Sequence, residues 1–315
     1  MKFLNKRPTF KFMSRRRLAY AGSLALMALS VVVLATRGLN FGLDFTGGTL
    51  IEVSFPTDAD IDLVRTNLGE AGLDDAVVQT FGEASDIVVR VPPRGEEESS
   101  ADLSTVVLQA LQQGVEGEVV MRRVEFVGPQ VGDELAEQGI LAVVYALIGI
   151  FLYVMMRFQW RFSAGAVASL VHDVVITMGV LSLLQMEFDL TVVAALLALI
   201  GYSLNDTIVV FDRIRENFPR MRKSTPVEVI DASINQTLSR TIMTGLTTLL
   251  VLVALYIFGG EIIHAFAFTL IFGIVIGTYS SIWVASAISL ELGVSKLDLL
   301  QVEKEGSGTP VDSQP

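Results

Sequence analysis

The sequence predicts a polytopic α-helical membrane protein: six transmembrane helices, with one α+β domain outside the membrane between helices 1 and 2. Three observations carry that reading. The 315 residues are 51% hydrophobic and 18% charged, with a mean hydropathy of +0.56, too apolar for an ordinary soluble protein. Apolar runs of about 18–25 residues, enough to cross a ~30 Å hydrocarbon core, occur six times. Lys and Arg concentrate in alternate connections, the asymmetry that sets orientation in a bilayer.

The spans fall at about 18–36, 138–157, 164–184, 190–211, 240–258 and 262–290. Residues 1–17 form a basic N-terminus with seven Lys or Arg and no acid, placing it in the cytoplasm. The apolar stretch that follows is longer than a usual signal-peptide core and lacks a small-residue cleavage site, so an uncleaved anchor is expected. "RFQWR" carries Arg157 and Arg161, and the loop at about 212–239 carries five more basic residues; both belong on the cytoplasmic side. The opposite connections, "QMEFD" and "GGE", are acidic. Both termini are therefore expected in the cytoplasm, with 291–315 a low-complexity, disordered tail.

Residues 37–137 are the only large segment expected outside. They hold 6 Lys/Arg and 20 Asp/Glu, a net of −14 against −11 for the whole chain. With no Cys in the chain, this domain must be held by packing. "GGTLIEVSF" (47–55) reads as a strand and "DADIDLVRTNLGEAG" (58–72) as an amphipathic helix opened by Asp and closed by Gly. "AVVQTFG" and "DIVVRV" read as short strands joined through "EAS", "SSADLSTVVLQALQQG" (99–114) as a second helix and "EVVMRRVEFVG" (118–128) as a last strand. The order βαββαβ is a ferredoxin-like arrangement. Its most exposed loop is "PPRGEEESS". The domain has no His and no nucleophile beside a base, so binding or a mechanical role is expected rather than chemistry.

The fourth span, "ALIGYSLNDTIVVF", places Asp206 inside an apolar run, where ionising a carboxylate costs at least a few kcal/mol. By helical rise Asp206 lies ~9 Å from the cytoplasmic end, and His172–Asp173 of the third span lie ~14 Å in. Arg240, at the start of the fifth span, falls in the same band, and Asn205 adds hydrogen-bonding capacity. An Asp paired with Arg stays ionised, whereas an unpaired Asp in low dielectric binds a proton readily. A helix movement that makes and breaks the pair would load and release an ion, with His172 and Asp173 as a supporting relay. The competing reading is a static buried pair that only fixes helix packing.

Gly273 and Gly277 have the GxxxG spacing of close helix packing. "GLDFTGG" after the first span contributes Gly42, Asp44, Gly47 and Gly48, either as a turn launching the first strand or as a hinge. "VGPQVGDEL" before the second span contributes Gly128, Pro129 and Gly132 to the matching connection. Two Gly-bearing connections would let the domain tilt as a unit.

Together "GLDFTGGTLIEV", "VGPQVGDEL", "HDVVIT", "GYSLNDTIVVFDRIREN" and "SINQTLSRTIMT", in this order among six spans, resemble the SecF family of protein-export membrane proteins, itself similar to the resistance–nodulation–division transporters. The resemblance runs almost end to end. It implies a multi-pass protein of the bacterial inner membrane with 37–137 periplasmic, associated with SecD and lipid. It also implies work with the SecYEG channel on unfolded preproteins, after the ATPase SecA has pushed them in, using the proton motive force. Asp206 and Arg240 match the family's ion-pathway residues, and an acid of SecD would complete the path. No cofactor or metal is implied; H⁺ is the expected coupling ion, with Na⁺ left open by the neighbours Ser203 and Thr207.

Two other functions stay open on the residues alone: an ion-coupled exporter of small molecules or lipids, and a non-coupled scaffold. An enzyme is not expected, since no nucleophile–base pair, nucleotide loop or metal cluster stands out, and nothing points to nucleic acid.

Overall fold

A computed structural model describes residues 10–93 and 100–294. The extreme N-terminus, most of the "PPRGEEESS" loop, the first residue of the 99–114 helix and most of the 291–315 tail therefore lie outside the described residues.

Along the chain run α1 (Arg16–Arg37), β1 (Asn40–Phe41), α2 (Leu43–Thr46), β2 (Gly48–Ser54), α3 (Ile61–Glu70), β3 (Val77–Phe81) and β4 (Glu83–Val91). They are followed by α4 (Ser100–Gln112), β5 (Val120–Val127), α5 (Pro129–Arg157), α6 (Trp160–Leu184) and β6 (Glu187–Phe188). Then come α7 (Leu190–Arg220), α8 (Pro226–Phe258), α9 (His264–Ser280), a π turn (Ser281–Ala285) and α10 (Ser286–Glu291). Among the described residues, six helical stretches are long and apolar enough to cross a membrane.

The strands of the inserted domain pair antiparallel in the order β3-β4-β2-β5. Alternation along β2 and β4 turns Ile51, Val53, Ile87, Val89 and Val91 toward α3 and α4, where they meet Val64, Leu68, Val107 and Leu111 in one apolar core. Asp60 caps α3, its carboxylate accepting from the Asp62 and Leu63 backbone N–H groups at 3.0 and 3.2 Å. "EAS" is not the turn between the two short strands: it lies within β4, and the chain reverses at Gly82, whose φ of +79° suits glycine.

The apolar windows of α6, α7 and α9 are 56%, 56% and 44% buried, against 17%, 11% and 17% for α1, α5 and α8. The first three therefore form the centre of the bundle, and the others flank it.

Two helices begin well before their apolar runs. α5 starts at Pro129, where the fixed φ of proline suits the first helical turn, so Pro129 and Gly132 lie inside a helix rather than in a connection. Gly128, its N-cap, is the part of "VGPQVGDEL" that links β5 to α5. α8 starts at Pro226, with a capping box between Thr225 and Glu228, so most of the stretch at 212–239 is helix, and the break spans only 221–225. Asn217 on α7 donates to Ser233 Oγ and Gln236 Oε1 on α8 at 2.9 and 3.1 Å, which ties these two helical extensions together.

The glycines after α1 are points of close approach. A Cβ on Gly47 would lie 2.9 Å from Pro129 Cα, and one on Gly132 3.1 Å from Gly47 N, so the turn before β2 packs directly on the first turn of α5. Gly48 combines φ +114° with a position where any Cβ would run into Val91 O. Gly48→Ala is expected to destabilise the chain by roughly 1–3 kcal/mol through backbone strain alone. A thermal melt of the purified protein checks this; an unchanged midpoint would contradict the packing of this turn.

Candidate functional site

The polar groups in the bundle centre come from one face each of α6, α7 and α9. On α7, Leu199, Ser203, Asp206 and Thr207 recur at helical spacing and are all buried. On α9, Gly273 and Gly277 lie against Leu199 and Ser203 of α7. A Cβ at Gly277 would be 3.1 Å from Ser203 Oγ and 3.5 Å from Asp173 Oδ2, so glycine there lets α9 reach the polar groups.

Asp173, 1% exposed, is the hub. Its Oδ2 accepts hydrogen bonds from Ser203 Oγ of α7 at 2.6 Å and from Ser280 Oγ of α9 at 2.7 Å. Its Oδ1 lies 2.9 Å from Nδ1 of His172, which donates when it carries the hydrogen. One carboxylate thus binds three central helices. The His172 ring stacks near Tyr279 at 6.3 Å between centroids, and Tyr279 OH donates to Ala19 O of α1 at 3.1 Å. Among the described residues the far nitrogen of His172, Nε2, is buried without a partner.

Asp206 has the opposite wiring. It is 4% exposed, and among the described residues its buried Oδ2 has no hydrogen-bond partner. Among the described residues Thr207 Oγ1 beside it on α7 and Thr241 Oγ1 on α8 likewise have no partner, nor does Tyr202 OH one turn away. A Cβ on Gly245 of α8 would meet Thr278 Oγ1 at 3.7 Å and Tyr202 OH at 3.9 Å, so α7, α8 and α9 bring hydroxyls together here. Buried polar atoms left open in this way are the places where water or an ion is held.

Arg240 of α8 acts electrostatically on Asp206, although among the described residues the two form no ion pair. Arg240 is exposed on the flank of the bundle. Asn205 is also exposed, on the outer side of α7, and among the described residues it makes no hydrogen bond to Asp206. The structure therefore brings Asp206 near Arg240, joins His172 to Asp173, and sets Asn205 apart. Ser280, Gly277, Tyr202 and Thr241 complete these two clusters. Of these, only the glycine spacing stands out along the chain.

The glycine-rich connection is clamped between the inserted domain and the α6–α7 connection. β1 pairs in parallel with β6, Asn40 opposite Glu187 and Phe41 opposite Phe188. Gly42 N donates to Phe188 O at 2.8 Å, and Asp44 Oδ2 accepts from Leu190 N at 2.9 Å at the start of α7. Phe41, Phe45 and Phe188 stack edge-on or tilted at 5.8–6.0 Å between centroids. Any tilt of the domain must turn about this packed joint.

Among the described residues, no group of three or more His, Cys, Asp or Glu is placed to hold a metal ion. Fold and site together define a multi-pass α-helical membrane protein with an inserted α+β domain and ionisable groups in its helical core. Residues 107–295 match the family described as protein export membrane protein SecD/SecF, C-terminal, and residues 32–57 match the SecD/SecF GG motif. The chain is 54% identical over 306 residues to the protein translocase subunit SecF of Vibrio alginolyticus, covering 96% of this chain and 97% of that one. It is 46% identical to that of Escherichia coli O157:H7, covering 96% and 95%. The crystal structure of SecDF, a translocon-associated membrane protein from Thermus thermophilus, superposes with a TM-score of 0.82 at 38% identity. That match covers 93% of this chain and 39% of the SecDF chain, so the chain spans about two fifths of it. The chain belongs to the SecF family of protein translocase subunits.

Proposed function

We propose that the chain is the SecF-type half of a SecDF assembly that assists protein export across the bacterial inner membrane, and that Asp206 carries its coupling ion. The observation that carries this reading is the carboxylate on α7, buried in a membrane helix with one oxygen unpartnered and the charge of Arg240 acting on it. An acid in that position costs too much to be kept for packing it does not perform. Asp173 meets the packing need through its three partners.

The partner reading rests on the relatives. The SecDF chain contains a SecF-like region and more, which is the part a separate SecD would supply here. SecYEG, SecA and an unfolded preprotein follow as the wider setting. The coupling ion is a proton, driven by the proton motive force; no cofactor and no enzymatic step are involved. Both termini face the cytoplasm, supported by the seven Lys and Arg among residues 1–17. The inserted domain is periplasmic and ferredoxin-like, supported by its βαββαβ order and strand order β3-β4-β2-β5, and it moves against the membrane helices as the ion passes.

The test is a depletion and complementation experiment with two readouts, preprotein export and efflux of small cationic dyes. Export should fall on depletion and recover with the chain, while efflux stays level. Recovery of efflux without recovery of export would overturn the proposal.

A further inference from the structure

The guanidinium of Arg90 sits where three separate stretches of chain meet. Arg90 belongs to β4, opposite Leu50 of β2 and Val77 of β3, and alternation puts it on the sheet face away from α3 and α4. Its Nη2 pairs with Oε1 of Glu187 in β6, and its Nη1 donates to Phe41 O of β1 at 3.0 Å. The Arg90 side chain is 14% exposed and that of Glu187 38%, so the pair is more than a surface contact. Gly42 makes the room: a Cβ there would lie 3.0 Å from Glu187 Oε1.

The pair has a mechanical consequence. Glu187 is followed by Phe188 and then Asp189, the N-cap of α7, whose carboxylate accepts from Val192 N at 2.9 Å. A displacement of Arg90 with its sheet is passed to Glu187 and so to the first turn of the helix that carries Asp206. Apart from Arg90, the charged groups that face Glu187 are Asp44 of α2 and Asp189 beside it, both acidic. The side-chain tie from Arg90 of the sheet to the α6–α7 connection thus depends on one carboxylate held between a cation and two acids.

We propose that Arg90 and Glu187 form an acid-released clasp that holds the four-stranded domain against the α6–α7 connection and transmits its position to α7. The clasp deepens the reading of domain movement coupled to Asp206, and only the transmission rests on that reading. Burial raises the Glu187 carboxyl above the ordinary glutamate range, while Arg90 lowers it less strongly. The sign follows directly. The clasp needs the ionised form, so it is closed at high pH and opens as pH falls through the raised value, at milder acidity than an exposed Glu requires. For folding as a whole, the raised value means protonation is favoured in the folded state, so opening is a local release and not acid unfolding.

The chain has no Cys, so Val120→Cys on β5 and Leu184→Cys at the end of α6, both exposed positions, would carry the only two spin labels on the full chain. Pulsed electron resonance then reads the label-to-label distance from about pH 8 to about pH 4, across the carboxylate range. The expected result is one narrow distance population at high pH that is lost at low pH. Glu187→Gln, an isostere, should show the released distribution at every pH, and Arg90→Gln should do the same. A single narrow population at all pH values in both the parent and Glu187→Gln overturns the clasp. Gradient-driven export by Glu187→Gln vesicles tests the transmission separately: loss of the gradient's stimulation supports it, and full stimulation overturns it while the clasp stands.

Discussion

Asp173→Ala is expected to collapse the bundle's thermal stability, lowering it by roughly 3 kcal/mol or more. Removing this carboxylate leaves the hydroxyl of Ser203 and the Nδ1 of His172 without an acceptor, and leaves Ser280 only its 3.2 Å bond to Gly277 O. Each buried polar group so orphaned costs about 1–3 kcal/mol. The gain from no longer burying a charge offsets only part of that sum. Asp173→Asn should cost less, because the amide still accepts from one or two of the three partners while presenting a donor to the others. The measurement is the melting midpoint of the purified protein in detergent for the parent and both variants. Equal midpoints for all three would show that the α6–α7–α9 network contributes nothing to the fold.

Asp206→Asn is expected to do the reverse: leave stability unchanged or slightly raised, and remove the function. The unpartnered Oδ2 means that the isosteric amide forfeits no hydrogen bond there, and a buried charge is eliminated. The amide cannot bind or release a proton, so the whole gradient-dependent part of export should be lost while assembly with the SecD-type partner persists. The two acids therefore separate cleanly. One variant damages the fold, and the other damages the work with the fold intact. Arg240→Lys tests the partner charge: it keeps a cation on α8 but loses the planar fork, so it should retain part of the stimulation that Arg240→Leu loses.

Asp206 was legible along the chain because a single charge in an apolar run has no bland neighbour to hide behind. Asp173 was legible as a residue but not as a hub. Its partners Ser203 and Ser280 are ordinary serines from two other helices, and only the packing of α9 on α7 through Gly273 and Gly277 brings them to it. Asn205 shows the converse failure. It adjoins Asp206 in sequence, but one residue of an α-helix is about 100° of rotation, which carries its side chain to the outer face.

The apolar centres of the six membrane helices and the order of strands and helices in the inserted domain were readable from periodicity. The polar ends were not. α5 and α8 begin with Pro129 and Pro226 and continue through Asp, Glu, Asn and Gln before the apolar run starts. Hydropathy follows burial in lipid, whereas the helix is set by capping and tertiary contact, such as Asn217 with Ser233 and Gln236. The glycines of "GLDFTGG" illustrate the same limit. Along the chain they fit either a turn launching the first strand or a hinge; the positive φ of Gly47 and Gly48 at the start of β2 fits the turn, and what the chain could not show is the close packing of Pro129, Val91 and Glu187 around them.

The most direct test of ion coupling at Asp206 is preprotein export into inverted vesicles carrying Asp206→Asn with its partner. Assembly is verified by co-purification, and a proton gradient or a sodium gradient is imposed in separate arms. Parent vesicles should export faster under a proton gradient than without one, and Asp206→Asn vesicles should export at the same basal rate in all arms. Stimulation surviving in Asp206→Asn vesicles would show that the carboxylate is structural and would contradict the account.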